Sequence, residues 1–167
     1  MSSYNENSLQ GDISLVKIYD HFGVETIFRD NSIIISKKNG GSRRTLDLNL
    51  IDSPDLAQTI VVTCFGLGIS CNIIGLHTLK IKETDRLFAL HQELSKLGAQ
   101  IEVTDDTLFL DESRSLNSNI SIDTYHDHRM AMAFAPLAVK VPMIINDSEV
   151  VTKSFTSFWN DFEGVLV

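Results

Sequence analysis

Gly98 stands 75 residues after Gly23, and the chain around the second glycine repeats the pattern around the first. Tyr19 to Ile33 set against Leu94 to Leu108 shows it: an amphipathic stretch ends at a glycine, a short β-branched run follows, an Asp30-Asn31 or Asp105-Asp106 pair turns the chain, and a second run returns. Glycine stops helices, and acidic or amide pairs between apolar runs make hairpins. A second correspondence lies further on. Pro54 to Thr59 opens an apolar helix leading to a strand at Cys71 to Ile74, and Asp127 to Met132 opens another leading to Met143 to Ile145. Two copies of a helix, hairpin, strand, helix, strand module leave few folds open, because each copy has one wide apolar face that its neighbour must cover. The expectation is an α/β fold of repeated units with helices packed beneath mixed sheets. The units run over about 8–75 and 76–150, followed by a C-terminal helix over about 153–167. That tail, with Phe155, Phe158, Trp159 and Phe162, is expected to dock by its aromatic face in a packing role.

At 167 residues with 43% hydrophobic content, the chain is long enough for an ordinary core. A formal net charge of −8 argues against nucleic acid or an anionic membrane as partner, since both need clustered cations. No apolar run is long enough for a membrane span, and Met1 to Gln10 lack the charged and apolar regions of a signal peptide. Cys64 and Cys71 read as buried thiols in a reducing compartment, so a cytoplasmic location is expected.

Against this acidic background the cations near helix starts stand out. Lys82-Glu83-Thr84-Asp85-Arg86 precedes Leu87, Leu90, Leu94 and Leu97, whose spacing predicts an amphipathic helix from Lys82 to Gly98. With the helix starting at Lys82, Lys82 and Arg86 share one face beside unpaired backbone N–H groups, which suits a small anion. The other reading is a solvated first turn of intrahelical ion pairs. Asp55 follows Pro54 at a helix start, either as a simple cap or as a functional carboxylate at the positive end of the dipole. Arg129 precedes an apolar run and is costly there unless it meets a carboxylate or an anionic ligand. His126 and His128 form a pair with no third ligand in matching context, so no metal is assigned. Lys153 alone carries no signal beyond an exposed lysine.

Five segments in this order and spacing resemble the C-terminal part of the 5-enolpyruvylshikimate-3-phosphate synthase family: Asn7 to Asp12, Pro54 to Thr59, Lys82 to Arg86, Asp127 to Met132 and Thr152 to Phe155. The resemblance covers essentially the whole chain. It implies a two-domain enzyme of six β-α-β-α-β-β units, of which about two are present here. It also implies transfer of the enolpyruvyl group of phosphoenolpyruvate to the 5-hydroxyl of shikimate 3-phosphate, with release of phosphate, on the shikimate route to aromatic amino acids. No cofactor is implied. Carried over by motif, Asp55 is the base at the 5-hydroxyl and contacts shikimate 3-phosphate together with Lys82. Glu83 protonates the methylene carbon, and Arg86, Arg129 and Lys153 hold phosphoenolpyruvate. Asp85 keeps the role of a structural ion pair. Thr78 stands where some members carry an asparagine that contacts shikimate 3-phosphate, so that role is not transferred.

In the family the N-terminal domain supplies a lysine, arginines and a serine-rich patch. Those groups lie outside the stretch that this chain resembles, so the chain alone is expected to show negligible turnover. Two alternatives remain: the sister activity that transfers enolpyruvyl to UDP-N-acetylglucosamine, and a non-catalytic anion-binding module. Keeping both Asp55 and Glu83 beside the cations argues against a pure anion binder, which gains nothing from added carboxylates.

Overall fold

The computed structural model describes residue 6 and residues 8–30, 32–38 and 44–166. Asn7 of the first motif and Asn31 of the first hairpin turn lie outside the described residues. A helix, α1 (Ser14–Asp20), leads through Gly23, whose φ of 79° needs a residue without a Cβ, into an antiparallel hairpin of β1 (Val24–Arg29) and β2 (Ser32–Lys37). Strand β3 (Thr45–Asn49) follows, then a 3₁₀ turn over Pro54–Leu56 that opens helix α2 (Ala57–Leu67), and strand β4 (Ser70–Ile74) returns parallel to β3.

The same order then runs again. Helix α3 (Arg86–Lys96) ends before Gly98, at φ 96°, and β5 (Ile101–Val103) and β6 (Thr107–Leu110) form the second antiparallel hairpin. Strand β7 (Ile120–Ile122), helix α4 (His128–Phe134) with its 3₁₀ extension Ala135–Val139, and β8 (Met143–Ile145) complete it, with β7 and β8 parallel. A 3₁₀ segment, Ser148–Lys153, and helix α5 (Phe158–Val165) end the described chain.

The two runs are joined through one sheet. Strand β6 of the second hairpin pairs antiparallel with β4, giving the order β3-β4-β6-β5, while β1-β2 and β7-β8 remain two-stranded among the described residues. The four-stranded sheet is therefore mixed, as expected. Helix α2 forms the centre of the core: Ile60, Val61, Val62, Cys64 and Phe65 are buried, and the helix packs against α4 and β4. A helix apolar on every side belongs in the interior. Leu87, Leu90, Leu94 and Leu97 are all buried, so the predicted stripe of α3 faces the core. Cys64 and Cys71 are buried free thiols.

The aromatic tail is more open than a core helix. Phe158 and Trp159 pack on Ala131, Val150 and Val151, and the Trp159 indole N–H donates to the Ser148 carbonyl at 2.9 Å, yet no residue of α5 is fully buried. Among the described residues no helix is long and apolar enough to cross a membrane.

Candidate active site

The start of α3 differs from the sequence expectation. The helix begins at Arg86 rather than Lys82, because the Asp85 carboxylate accepts the Phe88 backbone N–H at 3.0 Å and caps it. An aspartate at this position satisfies an otherwise orphaned donor and sets the helix boundary. Asp85 is thus a cap in place of the expected ion pair. Lys82 and Glu83 lie in the bend before it and share no helical face with Arg86.

The charges converge all the same, around Arg86. Its side chain is 2% exposed, and each guanidinium nitrogen has a carboxylate. Nε donates to Asp127 Oδ2 at 2.7 Å, Nη1 to Asp55 Oδ1 at 2.8 Å and Nη2 to Glu83 Oε2 at 2.7 Å. Arginine's planar fork carries its donors on three separate nitrogens, so each can meet a different carboxylate. Asp55, on the 3₁₀ turn before α2, is the second hub. Lys82 Nζ lies 3.2 Å from Oδ1 and Arg129 Nη2 3.6 Å from Oδ2, while Arg129 Nη1 donates to the Asp55 backbone carbonyl at 3.4 Å. Three helix starts, those of α2, α3 and α4, thereby meet at one place.

Lys153 stands beside this cluster. It ends the 3₁₀ segment after β8, and its Nζ donates to the His126 carbonyl at 3.0 Å, one residue from Asp127. Of the six predicted site residues, Asp55, Lys82, Glu83, Arg86 and Arg129 are linked in one network through Asp55 and Arg86, and Lys153 is tied to the adjoining loop.

Two residues without an assigned role in the sequence reading belong to the same constellation. Asp127 is fully buried: it takes the Arg86 Nε–H, caps α4 by accepting the Arg129 N–H at 2.8 Å, and accepts from Gln58 Nε2 at 3.4 Å. Gln58, also fully buried, has no hydrogen-bond partner for its Oε1 among the described residues. The signal for Asp127 was present, since a buried arginine demands a buried carboxylate and an Asp directly before an apolar helix is well placed to supply one. Thr78 is half-buried, and its hydroxyl has no partner among the described residues.

Just before Asp127 the backbone is strained. Tyr125 and His126 both adopt left-handed conformations, at φ 54° and 57°. For side chains of this size each costs about 1–3 kcal/mol, and such residues persist only where neighbours over-determine them.

Burial alone would push the Asp55 carboxyl up. The Lys82 contact and the charges of Arg129, Arg86 and Lys82 outweigh it and hold the group below the ordinary carboxylate value. The Lys96 and Asn146 hydrogen bonds do the same for Asp123. A carboxyl depressed in the folded state stabilises it above the unfolded value and loses that stabilisation as pH falls through the lower, folded value. The melting temperature is therefore expected to fall steeply as pH drops below about 4. Asp55→Asn should make that fall shallower in melts recorded from pH 7 to 2, and an unchanged acid limb would show that Asp55 stays solvated.

In chemical terms the cluster sets three cations beside an ionised, partly exposed carboxylate. It can receive a small anion with carboxylate or phosphate oxygens, and Asp55 can accept a proton.

The chain matches the family model described as EPSP synthase (3-phosphoshikimate 1-carboxyvinyltransferase) over residues 2–162. It is similar to the 3-phosphoshikimate 1-carboxyvinyltransferase of Bacteroides fragilis strain YCH46, with 42% identity over 158 residues covering 93% of this chain and 38% of that protein. The chloroplastic protein of the same name from Petunia hybrida is 34% identical over 160 residues, covering 92% of this chain and 31% of that one. Among solved structures, EPSP synthase from Acinetobacter baumannii has the same fold, with a TM-score of 0.71 and 19% identity over 98% of this chain and 40% of that one. The enolpyruvyl transferase NikO from Streptomyces tendae follows at 0.62 and 15%, over 90% of this chain and 34% of that one. The chain spans about two fifths of the length of the Bacteroides relative.

Proposed function

The chain belongs to the EPSP synthase family, and on that premise we propose that it forms one wall of the site that transfers the enolpyruvyl group of phosphoenolpyruvate to the 5-hydroxyl of shikimate 3-phosphate. The observation that supports this reading best is the convergence of Lys82, Arg86 and Arg129 on the single ionised carboxylate of Asp55. In the reaction, Asp55 takes the proton of the attacking hydroxyl as its oxygen bonds to C2 of phosphoenolpyruvate. Glu83 gives a proton to C3, and the resulting tetrahedral ketal loses phosphate as C3 is deprotonated again.

On this reading, a substrate enters by exchanging with part of the resting charge balance. The cluster already balances the charges of Lys82, Arg86 and Arg129 with Asp55, Glu83 and Asp127. An incoming carboxylate therefore gains Arg86 Nη2 only by replacing Glu83, whose side chain is half exposed and free to swing. That exchange would leave the Glu83 carboxylate free to take up a proton from solvent, which it then gives to C3 and recovers when C3 is deprotonated. Arg129 and Lys153 supply the further positive charge that phosphoenolpyruvate needs, and Lys82 faces shikimate 3-phosphate. Closing the cleft and excluding water fall to the other domain of the full-length enzyme, the natural partner of this chain. Its free buried thiols suit a cytoplasmic setting.

The test is a chimera in which these 167 residues replace the matching stretch of the Bacteroides fragilis protein. With both substrates, the chimera is expected to release phosphate, and the chain alone is not. A folded chimera without turnover would overturn the proposal, and so would turnover with UDP-N-acetylglucosamine as the preferred acceptor.

A further inference from the structure

Seven residues beyond Arg86, on the same face of α3, lies a second buried carboxylate. Glu93 is fully buried in the stripe that carries Leu87, Leu90 and Leu94, a position where a leucine would serve helix packing at less cost. Two of the three contacts of this carboxylate go to one short segment, the chain between β7 and α4, and the third, Lys96, is on α3 and itself reaches that segment. Oε1 accepts the Tyr125 hydroxyl at 2.7 Å, and Oε2 accepts the Asp123 backbone N–H at 3.1 Å together with Lys96 Nζ at 2.7 Å. Lys96 reaches onward to Asp123 Oδ2 at 2.8 Å and the Ser121 carbonyl at 3.3 Å, and Asn146 donates to the other Asp123 oxygen at 2.7 Å. The Phe88 ring meets the Tyr125 ring edge-on, with centroids 6.4 Å apart.

Helix α3 therefore grips this segment twice, by Glu93 at Asp123 and Tyr125 and by Arg86 at Asp127. The two left-handed residues are Tyr125, held by the first grip, and His126, which lies between it and Asp127. Their conformation presents Asp127 to Arg86, starts α4 so that Arg129 reaches Asp55, and turns the His126 carbonyl to Lys153. Released at the Glu93 end, such a segment relaxes toward negative φ, and all three contacts shift together.

We propose that Glu93 is a positioning residue for the Asp55, Arg86 and Arg129 cluster, acting through Tyr125 and touching none of the three. This rests on the reading of that cluster as a substrate site, but the test needs no substrate. In the isotope-labelled 167-residue chain, the Arg86 Nε–H resonance reports its hydrogen bond to Asp127, and amide exchange at Asp127, Arg129 and Met130 reports the segment. Glu93→Ala is expected to move the Arg86 resonance and to speed exchange at those amides about tenfold more than in β4 and β6. Glu93→Gln, which keeps the shape and an acceptor oxygen, should restore both. Tyr125→Phe removes one hydroxyl and should reproduce the shift in part; it decides the same readouts if Glu93→Ala does not fold. Uniformly faster exchange throughout the sheet, or an Arg86 resonance that stays in place in both variants, would overturn the proposal. A chimera without turnover would remove the catalytic reading and leave these results standing.

Discussion

Arg86→Met is expected to melt far below the parent chain. The substitution keeps much of the side-chain volume and removes the cation on which Asp55, Glu83 and Asp127 converge. Asp55 and Glu83 can turn to water, being 36% and 51% exposed, but Asp127 is 0% exposed and cannot. The loss is therefore concentrated in one stranded buried carboxylate, which costs about 3–5 kcal/mol when its partner goes. For a domain of this size each kcal/mol moves the midpoint by about 2–4 °C, so thermal denaturation followed by circular dichroism should fall by about 6–20 °C. Adding Asp127→Asn to Arg86→Met should recover much of this, because neutralising both partners removes the stranded charge while asparagine still caps α4. A loss below about 1 kcal/mol in the single variant would mean that water reaches Asp127 readily.

The second large effect concerns chemistry rather than folding. In the active chimera, Asp55→Asn is expected to lower kcat by about 10²–10⁴-fold, the usual contribution of a positioned general base, with a much smaller change in KM for phosphoenolpyruvate. Asparagine retains an acceptor for Arg86 Nη1 and leaves Arg129 its backbone contact, so the site should stay assembled. Steady-state phosphate release measures it. Turnover within a factor of about ten of the parent would remove Asp55 from the role of base.

The order of elements was legible because it is written in local chemistry, in glycines at positive φ, β-branched runs and apolar spacing, and written twice. The α3 boundary was misplaced by four residues because Lys82 and Glu83 are good helix formers and the apolar period carries no information upstream of its first leucine. What decided the boundary was a single side chain, Asp85, turning back to the Phe88 N–H. The pairing of β4 with β6 was beyond reach, since nothing in either strand says which neighbour it will take.

In the charged cluster, sequence spacing drew attention to cations and to the carboxylates beside them in the motifs. It passed over Asp127 because a capping aspartate looks ordinary until the arginine it serves is known to be buried. Glu93 offered a fairer clue: a lone acid within a leucine stripe, seven positions from Arg86, is a break in pattern that asks for partners.

The β4 to β6 pairing also bears on how this chain acquires its structure. Although the halves are copies, the hairpin of the later one completes the sheet begun by the earlier one, and α2 packs on α4 across the same division. Each half thus leaves apolar surface that the other covers, and the two are expected to unfold together. The repeat in sequence is therefore no division in stability, and pairings between residues far apart in the chain, such as Ile73 with Leu108, are expected to make folding slower than in two self-contained halves.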